Sequence, residues 1–80
     1  MRLRVRYFAS VREWSGAREE ELELPDGCTA GELRRVVSNR HGRPEKEEHL
    51  LVAVNGGFVD PKQPLRPGDE VAVFPPVSGG

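Results

Sequence analysis

Few residues of this chain have the type and spacing to do chemistry. Those that stand out are at its end, Val77-Ser78-Gly79-Gly80, directly after Pro75-Pro76. Two glycines carry no side chains, so they can lie extended and pass through a channel too narrow for any Cβ. From Pro75 to Gly80 the backbone can reach about 20 Å at roughly 3.3 Å per residue. An α-carboxylate titrates near ~3.5 and is therefore an anion and a poor electrophile at neutral pH. It has to be activated before sulfur or an amine can be attached to it. On its own a Gly-Gly end is a weak signal, because many chain ends are merely frayed. Elsewhere there is no Ser/His/Asp arrangement, no carboxylate pair placed by a cleft and no Gly-rich strand-to-helix loop to cradle a phosphate. His41 and His49, eight positions apart with no third ligand, read as surface residues. Cys28 reads as a small structural thiol and Trp14 as a packing residue. The sequence offers no catalytic side chains of its own.

Length and composition narrow the classes further. Eighty residues support one modest core. The expected organisation is a domain over 1–76 and a flexible tail over 77–80. Twelve basic residues against thirteen acidic ones give a formal net charge of −1, so no global field draws the chain onto nucleic acid. No apolar run approaches the roughly 20 residues of a membrane span, and Met1-Arg2-Leu3 opens straight into alternating residues instead of a signal core. A single cysteine cannot form an internal disulfide, and no Cys/His group has metal-ligand spacing. The expectation is a soluble cytoplasmic protein, unprocessed at its N-terminus, with no bound cofactor or metal, which finds its partners through local surfaces.

The elements that would hold the tail can be read from hydrophobic period. Residues 2–8 alternate, with Leu3, Val5 and Tyr7 on one face and Arg2, Arg4 and Arg6 on the other. A second strand over 19–24 puts Leu22 and Leu24 on one parity and Glu19, Glu21 and Glu23 on the other. Antiparallel pairing of the two would set arginines opposite glutamates, exposed pairs that contribute only about 0.2–1 kcal/mol each. The intervening stretch 9–18 is too short for a full helix and reads as a helical turn closed by Ser15-Gly16. Thr29-x-x-Glu32 has capping-box spacing, and Leu33, Val36 and Val37 follow at helical spacing up to His41-Gly42. The charged 45–48 stretch reads as solvated. Residues 50–54 are an apolar strand, Asn55-Gly56-Gly57 a tight turn, Phe58-Val59 a short return strand, and 70–74 a last strand stopped by Pro75-Pro76.

One helix is available to cover one face of a mixed sheet. This is an α+β order, the β-grasp arrangement of ubiquitin, with the first and last strands expected side by side and parallel at the centre. Parity then singles out aromatic residues. Phe8 is out of phase with Leu3, Val5 and Tyr7, and Phe74 with Val71 and Val73, so both should point away from the helix. Phe58 follows the tight turn and is a third candidate. The expectation is an apolar binding patch of Phe8, Phe58 and Phe74 near the tail, rimmed by contacts that include Arg12, with Pro75 and Pro76 alongside.

The stretch Tyr7-Phe8-Ala9-Ser10-Val11-Arg12-Glu13-Trp14-Ser15-Gly16, then Ala53-Val54-Asn55, then Gly68-Asp69-Glu70-Val71 through Phe74-Pro75-Pro76-Val77-Ser78-Gly79-Gly80, resembles the MoaD family, the small subunit of molybdopterin synthase. Residues 19–48 match only in pattern. The resemblance implies that a ubiquitin-activating-like adenylyltransferase uses ATP to adenylate Gly80, that sulfur displaces the leaving group to give a thiocarboxylate, and that the tail enters the large synthase subunit. There the sulfur would pass to cyclic pyranopterin monophosphate, with Gly79 as the slender neck behind Gly80. The chain would be the non-catalytic, sulfur-donating subunit of that sulfurtransferase complex. Two alternatives stay open: a sulfur carrier for thiamine or cysteine synthesis, and a ubiquitin-like modifier or interaction domain.

Overall fold

The computed structural model describes residues 1–76; the expected sulfur-bearing Gly80 and its neighbour Gly79 lie outside the described residues. Five strands form one sheet: β1 (Arg2–Tyr7), β2 (Glu19–Glu23), β3 (Leu51–Val54), β4 (Gly57–Phe58) and β5 (Val71–Phe74). Their order across the sheet is β2-β1-β5-β3-β4, with β1 and β5 parallel and the other neighbours antiparallel. The parallel central pair expected from the sequence is therefore present, and it needs the long crossover that the intervening elements supply. Helix α2 (Ala30–Arg40) covers one face. On that side Leu3, Val5, Tyr7, Leu22, Leu33, Val37, Val52, Val71 and Val73 are buried in one cluster with Leu24, Leu50 and Leu65.

Helix α2 begins where the capping-box spacing puts it. The Thr29 hydroxyl accepts a hydrogen bond from the Glu32 N–H at 3.2 Å. The loop at residues 61–65 satisfies further orphan donors of the first turn: Ala30 N–H donates to the Gln63 carbonyl at 2.9 Å and Gly31 N–H to that of Pro61 at 2.8 Å. A side chain at residue 31 would crowd this contact, since its Cβ would lie 3.1 Å from the Pro61 carbonyl oxygen. At the other end, Gly42 at φ +70° lets its own N–H reach Asn39 and lets Arg43 N–H reach Ser38, the crossed pair of bonds of a Schellman ending.

Three expectations need correction. The stretch after β1 is a helix, α1 (Ala9–Ser15), closed by Gly16 in the left-handed conformation with its N–H on Arg12 and anchored by buried Val11. Seven residues are enough for two turns when tertiary packing supports them. Within α2 the buried stripe is Ala30, Leu33 and Val37, at i, i+3 and i+7, which leaves Val36 37% exposed. His41 is half-buried against Tyr7 and Trp14 instead of lying on the surface. The charged 45–48 segment is solvated as expected, within a 3₁₀ turn, Pro44–His49.

Candidate functional site

Phe8 follows β1, and its N–H donates to the Val73 carbonyl at 3.2 Å, extending the parallel ladder one residue beyond the strand. With Tyr7 opposite Val73, the next pair in register is Phe8 and Phe74. Neighbouring strands are roughly 4.8 Å apart, so identical residues in parallel register stack. The two rings do so at 4.6 Å between centroids and 7° between planes. Phe58 reaches the same place by another route. Asn55 at φ 51° and Gly56 at φ 88° make a two-residue hairpin turn with both central residues left-handed, which sets Phe58 opposite Ala53. Its ring meets that of Phe74 edge-on at 5.5 Å and is 66% exposed.

Between the rings the sheet carries only methyl groups, from Ala53 and Ala72, which face each other across β3 and β5. The result is a hollow of about 270 Å³ lined by the three phenylalanines and these alanines, with Arg6 and Glu70 also on its walls. Leu51, opposite Phe74 in register and 37% exposed, adds to the apolar surface. The Arg12 guanidinium lies 5.8 Å from the Phe8 ring centroid, within cation–π range, and its Nε donates to the Tyr7 carbonyl at 3.4 Å. Pro75, half-buried, and Pro76, exposed, continue directly from Phe74. The structure thus brings Phe8, Phe58, Phe74 and Arg12 together at the end of the sheet from which residues 77–80 continue.

The opposite face holds a polar cluster that the sequence reading missed. Glu20 accepts from Tyr7 Oη at 2.7 Å, from Arg40 Nε at 3.1 Å and from the His41 ring. Burial works to raise the Glu20 pKa, but the hydrogen bonds from Tyr7, His41 and Arg40 outweigh it and hold the carboxyl below the ordinary glutamate value. Burial and the adjacent carboxylate push the Tyr7 phenol well above its usual range. The available signal was parity, since Glu20 shares the phase of Leu22 and Leu24. Cys28 is buried; burial first, and Glu32 second, raise its thiol pKa, so it is a poor nucleophile. Among the described residues no three His, Cys, Asp or Glu side chains are grouped to hold a metal ion, and no helix is long and apolar enough to cross a membrane. What the described residues present is an exposed aromatic patch around an apolar hollow.

Residues 5–80 match the model of the ThiS family. The chain belongs to that family. Two relatives, both named molybdopterin synthase sulfur carrier subunit, align nearly end to end. The Escherichia coli protein is 41% identical over 98% of this chain and 99% of its own. The Chlamydomonas reinhardtii protein is 37% identical over the whole of both chains. Among solved structures, a putative molybdopterin converting factor subunit 1 from Pyrococcus furiosus superposes with a TM-score of 0.81 at 35% identity, over 96% of this chain and 99% of that one. The small archaeal modifier protein 1 of Haloferax volcanii superposes at 0.80 with 25% identity, over 95% and 98%. A Helicobacter pylori complex of subunits 1 and 2 of molybdopterin-converting factor contains a chain that superposes at 0.67 with 26% identity, over the whole of both chains. The β-grasp expectation holds, and these neighbours share the fold.

Proposed function

We propose that this ThiS-family chain is the sulfur carrier subunit of a molybdopterin synthase. In this reading 1–76 is the carrier domain and 77–80 the working tail. A cytoplasmic adenylyltransferase spends ATP to activate the Gly80 carboxylate. Sulfur replaces the adenylate to give a thiocarboxylate, and the large synthase subunit receives the tail and passes the sulfur to cyclic pyranopterin monophosphate. The chain itself supplies sulfur and binding surface, and the catalytic groups belong to its partners. The observation that carries the reading is the end-to-end match to relatives bearing that name. The aromatic patch that includes Phe74, just before Pro75-Pro76, supports it, because a tail received by a partner needs a docking surface near its root.

The test is intact mass after co-expression with the cognate activating enzyme. A carrier gains the sulfur-minus-oxygen difference, and a protein lacking Gly80 stays folded, gains nothing and supports no conversion of the pterin precursor. Conversion by the truncated protein would overturn the assignment. The likeness to a small archaeal modifier favours one second reading, conjugation of Gly80 to lysines. That reading predicts higher-mass conjugates in the same cells in place of the thiocarboxylate.

A further inference from the structure

The outer face of the sheet has an apolar half, described above, and a charged half on β1 and β2. In the ladder Arg2 stands opposite Glu23, Arg4 opposite Glu21 and Arg6 opposite Glu19. The ion pairs do not follow these rungs to the end. Arg2 takes Glu23 at 3.1 Å, and Arg4 takes both Glu21 at 3.3 Å and Glu19 at 3.8 Å. Glu19 leans back toward Arg4, so among the described residues Arg6 has no carboxylate within ion-pairing distance. Of the three β1 arginines, Arg6 is also the only one that lines the hollow of the patch. It shares the face of Phe8, stands beside Ala72 on β5, and lines the same hollow as the three phenylalanines.

Exposed to water, such a guanidinium costs nothing. Once a partner covers the rings, it loses hydration, and a desolvated charge without a counter-charge opposes binding. A surface that fits this patch therefore has to bring an acceptor to Arg6. We infer that Arg6 is a specificity-determining residue of the patch, which selects partners that place a carboxylate beside the apolar group they seat against Phe8, Phe58 and Phe74. The inference rests on the patch being the docking surface for the large synthase subunit. A guanidinium matches a carboxylate with two parallel N–H donors, which gives orientation as well as attraction. Losing one partner of a covered charge pair speeds dissociation, while the positive field of Arg6 before contact raises the association rate and makes it salt-dependent.

The experiment measures association and dissociation of the cognate large subunit with Arg6→Gln, Arg6→Glu, Arg6→Lys, Glu70→Gln and Phe74→Ala at low and high ionic strength, with thermal unfolding of each variant alongside. Arg6→Gln is expected to bind about tenfold more weakly at low salt, through faster dissociation together with slower association, and to lose much of its salt dependence. Arg6→Glu should bind more weakly still and Arg6→Lys should keep most of the affinity, all three with near-parental stability. Parental affinity in Arg6→Gln and Arg6→Glu, with Phe74→Ala impaired, overturns the role of Arg6 and leaves the patch standing. Parental affinity in Phe74→Ala overturns the patch itself. Equal losses in Arg6→Gln and Glu70→Gln, with no further loss when they are combined, would mean that Arg6 closes onto Glu70 on docking, which also overturns the inference. So would self-association of the free protein that Arg6→Glu abolishes, because the occupant would then be a second copy.

Discussion

Three donors from two elements converge on Glu20: the Tyr7 phenol from β1, and the Arg40 guanidinium and His41 ring from the end of α2. Against an ionised carboxylate the His41 Nε2 has to be a donor. This arrangement ties the edge strand β2 to the helix, and it makes a prediction with a definite sign. A carboxyl whose folded pKa lies below its unfolded one binds fewer protons in the native state between the two values, so stability rises with pH across that interval. The contribution is complete above the ordinary value of 4.5 and is lost as pH falls through the lower folded value. Glu20→Gln is expected to be less stable by about 1–2 kcal/mol at pH 7 and to show a flatter acid limb. Urea unfolding between pH 3 and pH 7 measures both, and an unchanged limb would remove Glu20 as its source. The cluster was only half legible in the sequence. Parity marks Glu20 as inward-facing, but nothing in a linear reading brings residues 40 and 41 to it, because that needs the C-terminal end of α2 to come to rest beside β2. The phenylalanines were legible for the converse reason: their phase is set within their own strands.

At the scale of elements, strands with strict alternation could be placed to within a residue, whereas continuous apolar runs could not be oriented. Residues 50–54 have no polar position to mark a face, so the outward turn of Leu51 beside Phe74 appears only in the register with β5. Helix α1 was read only as a single helical turn because its seven residues hold one buried side chain, Val11, and one point shows no period. In α2 the capping signal was right and the stripe was off by one position, since i, i+3, i+4 and i, i+3, i+7 are both helical faces and only packing chooses between them. The choice can be tested. Leu33→Ala is expected to cost about 2–5 kcal/mol, whereas Val36→Ala should stay within about 0.5 kcal/mol. Thr29→Ala, which removes the cap, should cost about 1 kcal/mol. Denaturant midpoints of the three variants check the set, and comparable losses at 33 and 36 would place the stripe where the sequence alone suggested.

For the molecule as a whole, the sheet separates by face the buried core, which carries stability, from the exposed aromatic patch, the proposed docking surface. Adjacent residues of β5 alternate between the two roles: Val71 and Val73 are buried beneath α2, while Ala72 and Phe74 face outward. This separation follows from the period of two along a strand, and it was legible because both halves of the pattern are present in the four residues of β5. It yields a crossed prediction for neighbouring side chains. Val73, fully buried, contributes to the core, so Val73→Ala should lower the unfolding temperature while the folded fraction binds the large synthase subunit with parental affinity. Phe74, stacked on Phe8 and met edge-on by Phe58, holds the patch together. Its truncation removes an aromatic anchor at the centre of the proposed interface. Phe74→Ala is expected to lose about 2 kcal/mol of binding, roughly 30-fold in Kd, because aromatic anchors at an interface centre carry a disproportionate share of its energy. Its effect on unfolding temperature should be the smaller of the two. Calorimetric titration of both variants with the large subunit, paired with thermal melts, decides the matter. If Phe74→Ala loses more stability than Val73→Ala and keeps its affinity, the rings serve the fold, and the tail must be guided by some other surface.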